Sequence, residues 1–143
     1  MTDASGPQKI VVGIDGSASS VDAFRWAVRQ AQLTGSAVEA VMAWQYPGAL
    51  IPGVAADFEA ESRQALDGAI EGAFSGASPV QVTRVVEAGE ADLTLVERSR
   101  DAALLVIGSR GHGAFIGMLI GSVSQYCVTH AHCPVVVLRG PEG

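Results

Sequence analysis

The residues best suited to chemistry lie in one stretch, Gly108-Ser-Arg-Gly-His-Gly-Ala-Phe-Ile-Gly-Met-Leu-Ile-Gly-Ser122. Glycines fall at Gly108, Gly111, Gly113, Gly117 and Gly121. The stretch leaves an apolar run at 103–107 and enters a segment from Ser122 onward that reads as a helix. Glycine lets backbone N–H groups approach an anion with no Cβ in the way. A helix start adds unpaired N–H groups and the positive end of a dipole. Ser122 adds a hydroxyl, and Arg110 and His112 are sources of positive charge. In outline this is a phosphate cradle. A glycine-rich connector with no ligand has the same composition, and the stretch alone does not separate the two.

Known nucleotide motifs narrow the reading. A Walker A loop needs Gly-Lys-Ser/Thr entering the helix. The only lysine here, Lys9, opens the first apolar run, far from the glycine-rich stretch. The dinucleotide fingerprint belongs on the first β-α turn, where this chain has Gly13-Ile-Asp-Gly-Ser-Ala instead. Asp15 ends the first apolar run, at 9–15. Beside a polyphosphate its carboxylate would be repulsive, so it suits ribose hydroxyls better. The competing reading is that Asp15 caps its own turn or the first helix.

The elements that must position these groups follow from periodicity. Strands are expected at 9–15, 37–44, 80–87, 103–107 and 134–138. Helices are expected between them: one capped by Ser19 or Ser20 and ended by Gly35, one carrying Phe58, Leu66, Ile70 and Phe74, one at 91–100 and one at 122–131. Strict alternation argues for a single α/β domain over 1–143, with 1–8 expected to be flexible, and a parallel sheet covered on both faces. With strand order 3-2-1-4-5, strands one and four are neighbours. Their carboxyl ends then open a crevice of the kind that binds ligands, with Asp15 beside Gly108.

Composition excludes several classes. The chain has 143 residues, is 48% hydrophobic and carries a net charge of −6. That is enough apolar material for one core. The acidic balance and scattered arginines argue against a nucleic-acid or anionic-membrane partner. No secretory pattern or membrane-length apolar run is visible, and two cysteines make no disulfide framework, so a cytoplasmic protein is expected. Cys127, His130, His132 and Cys133 cluster in sequence but straddle a helix end and a strand start, so their side chains should diverge rather than hold a metal. No water-activating residue is evident. A nucleotide-binding regulatory protein is therefore the first reading. A slow ATP hydrolase or nucleotide-transferring enzyme using Asp15, Arg110, Ser122 and Ser124 is the alternative.

Gly108-x2-Gly111-x9-Gly121-Ser122 resembles the ATP-binding motif of the universal stress protein family. Val11-Val-Gly-Ile-Asp-Gly-Ser17 resembles that family's opening strand and turn, and Ala131-His-Cys-Pro-Val-Val-Val137 its last strand. The resemblance implies the 3-2-1-4-5 fold (adenine nucleotide alpha-hydrolase-like), with ATP as ligand, with or without Mg²⁺. It implies that Gly13 and Asp15 line the adenosine side and that Ala43 packs on adenine. Gly108, Ser109, Arg110, Gly111, His112, Gly113 and Ala114 would wrap the phosphates, and Gly121, Ser122 and Val123 would hold them at the helix start. It also implies a homodimer through the C-terminal strand, an edge that would otherwise stay exposed, and a protein partner of unknown identity. Two positions depart from the family pattern: Glu90, where proline is common, and Met42, where histidine is common.

Overall fold

The computed structural model describes residues 8–45, 54–109 and 121–139. Five strands form one sheet: β1 (Lys9–Gly13), β2 (Ala37–Trp44), β3 (Val82–Ala88), β4 (Leu104–Gly108) and β5 (Val135–Leu138). Their order is β3-β2-β1-β4-β5, and every pairing is parallel. Four helices connect them: α1 (Ala18–Thr34), α2 (Val54–Ala73), α3 (Ala91–Arg98) and α4 (Ser122–His130). The expected fold class and strand order are those observed.

The sheet is buried on both faces because its central strands, Glu39 of β2 apart, carry apolar runs. Successive side chains of β1 go to opposite sides. Ile10 and Val12 join the layer formed by α1 and α2, with Phe24, Ala27, Val28, Leu66 and Ile70. Val11 joins the opposite layer of α3 and α4, with Leu95, Leu105, Ile107 and Cys127. Phe24 packs edge-on against Phe74 at 6.1 Å between ring centres. Each such buried side chain contributes about 1.5–3 kcal/mol. Arg25 Nε donates to Ala73 O at 2.8 Å, capping the end of α2 with a cation.

Element ends depart from the sequence expectation where side chains compete with the backbone. The N-cap of α1 is Ser17, not Ser19 or Ser20; its Oγ accepts from the Ser20 amide. Gly35 does end α1, at φ 73°, a conformation that favours glycine. β3 starts at Val82 because Ser78 Oγ bonds both N and O of Val80, holding that stretch in a turn. α3 stops at Arg98 because Ser99 Oγ donates to Val96 O and tightens the chain into a 3₁₀ turn, Ser99–Asp101. The same hydroxyl accepts from the His132 amide at 2.9 Å, tying that turn to the approach of β5.

One charge is buried inside the α3 layer. Glu39 on β2 pairs with Lys9 Nζ at 3.1 Å and Arg98 NH1 at 2.6 Å. Arg98 Nε also reaches Glu87 and Lys9 reaches Asp101. Partial burial works against the charge on Lys9, but the bonds and fields of Glu39 and Asp101 outweigh it, so its pKa is raised. Burial likewise opposes the charge on Arg98, and Glu87 and Glu39 more than restore it.

Candidate functional site

The switch point of the sheet lies between β1 and β4, which pair with Val12 opposite Val106. From there the chain leaves β1 toward α1 and leaves β4 toward α4, on opposite faces. The carboxyl ends of the two strands therefore diverge around a crevice.

On the β1 side, Ile14 N donates to Val41 O at 2.9 Å, which holds the strand end against β2. Asp15 follows, exposed, and its Oδ1 accepts from the Ser17 amide at 2.9 Å. This is the turn-capping contact weighed from the sequence, an Asx turn with Gly16 at φ 89°. Ser20 Oγ accepts from Asp15 N and donates to Ser17 O, locking the turn onto α1. Ala43 lies two residues past Val41 on β2, paired with Glu87 of β3. Trp44, next to it, stacks on Phe58 of α2 at 6.2 Å. Met42 is buried in the α1–α2 core. Glu90 is the N-cap of α3, without a side-chain capping bond.

On the β4 side the two ends of the glycine-rich segment meet. Ser109 N donates to Leu138 O at 2.7 Å, and Ser109 O accepts from Gly121 N at 2.6 Å. Gly108 O accepts from Ser124 Oγ at 2.6 Å. The segment thus starts and finishes at one point, above β4 and at the first turn of α4. Gly121 is the N-cap of α4, and the first α-helical bond runs from Gln125 N to Gly121 O. The amides of Ser122, Val123 and Ser124 consequently have no acceptor within the helix. Ser122 is exposed, Ser124 is buried, and Val123 packs into the α3–α4 core. Arg110, Gly111, His112, Gly113 and Ala114 lie outside the described residues.

Two of the glycines have packing reasons that the sequence reading did not contain. A Cβ on Gly108 would overlap Ser19 Oγ and come within 2.9 Å of the Ser19 carbonyl. A Cβ on Gly13 would come within 2.8 Å of Leu95 Cδ1. Gly108 therefore lets the end of β4 touch the first turn of α1. Sequence reasoning took Ser19 for a helix cap and did not contain its contact with Gly108 or the tether from Ser124. Ser124 had a signal, a hydroxyl in the first turn of a helix. Ser19 had none beyond its place after Asp15. Because Ser124 donates to Gly108, its proton is already engaged in holding the loop.

The residues of the cysteine and histidine cluster have different surroundings. Cys127 is buried in the core, His130 stacks on Tyr126 at 4.1 Å, and His132 points to solvent. Burial, with a smaller contribution from Asp92, pushes the Cys127 thiol up to about 12. Burial also raises Cys133. Among the described residues, no helix is long and apolar enough to cross a membrane.

Comparison with known proteins places this geometry in context. The model of the universal stress protein family matches residues 7–139. Universal stress protein Rv2623 of Mycobacterium tuberculosis is 37% identical over 151 residues, covering 99% of this chain and 51% of that protein. The chain spans about half the length of the curated relatives it matches. Among solved structures, the universal stress protein UspA from Lactobacillus plantarum has a TM-score of 0.77 at 22% identity, covering 92% of this chain and 97% of that one. A universal stress protein solved in complex with cAMP has a TM-score of 0.64 at 30% identity, covering 94% and 98%.

Proposed function

This chain belongs to the universal stress protein family, and from that premise we propose that it is a nucleotide-occupied regulatory module that holds ATP at the β1/β4 switch point. The observation that carries the proposal is the joining of Ser109 O to Gly121 N, which brings the two described ends of the glycine-rich segment together at the amino end of α4. Helix amides and backbone N–H groups at such a point favour phosphate. The relative that binds cAMP supports an adenine nucleotide as the class of ligand.

The described residues fit that ligand on two counts. The α4 start presents amides without helical acceptors, and Asp15 carries a carboxylate just past the end of β1, the strand that pairs with β4. A carboxylate accepts several hydrogen bonds at once, so the bond from Ser17 is compatible with one from a ribose hydroxyl. In this reading Ala43 and Gly13 flank the adenosine. Gly108, Ser109, Arg110, Gly111, His112, Gly113 and Ala114, with Gly121, Ser122 and Val123, surround the phosphates and any Mg²⁺ they carry. Occupancy would favour one arrangement of the segment, which a partner protein then reads.

A second copy of the chain is the proposed structural partner. Among the described residues β5 pairs only with β4, and it presents Val135, Val136, Val137 and Leu138 half-buried at the sheet edge. Pairing two such edges would cover them. Two free thiols, Cys127 and Cys133, suit a reducing compartment, and the cytoplasm is the proposed place of work. Mass spectrometry of small molecules released on denaturing the purified protein tests the ligand. Stoichiometric adenine nucleotide is expected; release of none, with none taken up on incubation with ATP, would contradict the proposal.

A further inference from the structure

All but one of the polar side chains between Asp15 and Ser20 are engaged within the turn. Asp15 Oδ1 accepts from Ser17 N, Ser17 Oγ accepts from Ser20 N, and Ser20 Oγ bonds both Ser17 O and Asp15 N. The exception is Ser19. Its Oγ is sealed from solvent and has no hydrogen-bond partner among the described residues. It presses instead on Gly108, over the position a Cβ would take. A hydroxyl so placed has lost its water and gained no partner, a cost that alanine would not carry.

Its location suggests what the hydroxyl is for. Ser19 stands four residues after Asp15 and touches the first residue of the glycine-rich segment. It thus joins, along the chain and by contact, the carboxylate assigned to ribose and the start of the loop assigned to phosphates. In a nucleotide, the group at that junction is the phosphate esterified to the sugar. We infer that Ser19 is a binding residue for this phosphate. One rotation about χ1 turns Oγ away from Gly108 and lets it donate its proton to a non-bridging phosphate oxygen. Ser19 is in the first turn of α1, so no preceding helical turn blocks the alternative rotamer. The inference rests on the nucleotide reading of the site. It adds a binding residue outside the glycine-rich segment, and a preference for 5′-phosphorylated over unphosphorylated nucleosides.

The test uses the full chain stripped of nucleotide, as wild type and Ser19→Ala. AMP binding is measured by calorimetry, adenosine binding by ligand-observed NMR, and thermal unfolding without ligand. For Ser19→Ala the expected result is AMP affinity about tenfold weaker or more, through loss of a hydrogen bond to a charged group. Adenosine affinity should be unchanged and the unfolding midpoint equal or higher. A damaged fold would not combine these. Equal AMP affinity in both proteins would overturn the inference and leave the nucleotide reading standing. Parallel loss of AMP and adenosine binding with a lowered midpoint would overturn it by making Ser19 a packing residue. A wild type that binds neither ligand would overturn the reading and the inference together.

Discussion

Replacing Gly108 with alanine separates packing from ligand binding at the head of the glycine-rich segment. The added Cβ would overlap Ser19 Oγ and lie 2.9 Å from both the carbonyl carbon and oxygen of Ser19. The hydroxyl can swing aside, but the backbone of α1 cannot, because Ser17 and Ser20 pin that turn. β4 is equally held, by Ser124 on Gly108 O and by its pairing with β1 and β5. Overpacking of this kind costs about 1–3 kcal/mol. Two rigid backbones in contact place the expected loss near the middle, about 2 kcal/mol. For a chain of this size that corresponds to a fall in melting temperature of about 4–8 °C. Urea unfolding of nucleotide-free protein measures it, with the midpoint lowered and the slope unchanged. Adding Ser19→Ala should recover only part of the loss, since the backbone contacts remain. If Gly108→Ala unfolds within about 0.5 kcal/mol of wild type, the packing account is wrong, and the glycine is there for the ligand alone.

Three further outcomes follow from the packing and charge arrangement. Arg98→Ala leaves the buried Glu39 with Lys9 as its remaining cation, and denaturant unfolding should show a loss of about 2–4 kcal/mol, greater than for Arg100→Ala on the exposed surface. Of the two thiols, Cys133 should react with an aromatic disulfide reagent in the folded protein, while Cys127, with its pKa pushed up to about 12, should react only at the rate of opening. Equal rates would contradict the core placement of Cys127. The raised values at Cys127 and Lys9 mean that the stability they contribute is fully present below their unfolded values, 9.0 and 10.5. It is lost as pH climbs through the folded ones. Melting temperature should therefore fall above about pH 9, and Cys127→Ser should remove part of that alkaline slope.

The fold was legible because its signals are local. Apolar strands alternate with helical periods, whereas the order β3-β2-β1-β4-β5 rests on the family resemblance rather than on a local signal. The positions of Gly108 and Asp15 at strand ends were legible for the same reason. Side-chain commitments across long separations were not. Gly108 reads as a ligand glycine until Ser19, at the start of α1, is found against it. Glu39 and Arg98 are 59 residues apart and read as ordinary surface charges until the sheet brings α3 over β2. Serines were misassigned for a related reason. Ser17, Ser19 and Ser20 have similar capping propensity, and only the Asx turn at Asp15 selects Ser17 as the cap.

Calorimetric titration of ATP into nucleotide-stripped protein tests the central claim most directly, with Asp15→Ala and Gly111→Ala run beside the wild type. Binding of one ATP per chain is predicted, weakened at least about tenfold in each variant by loss of a charged-group hydrogen bond or of close backbone approach. No heat of binding from a folded wild type, or full affinity in both variants, would contradict a nucleotide site at the β1/β4 switch point.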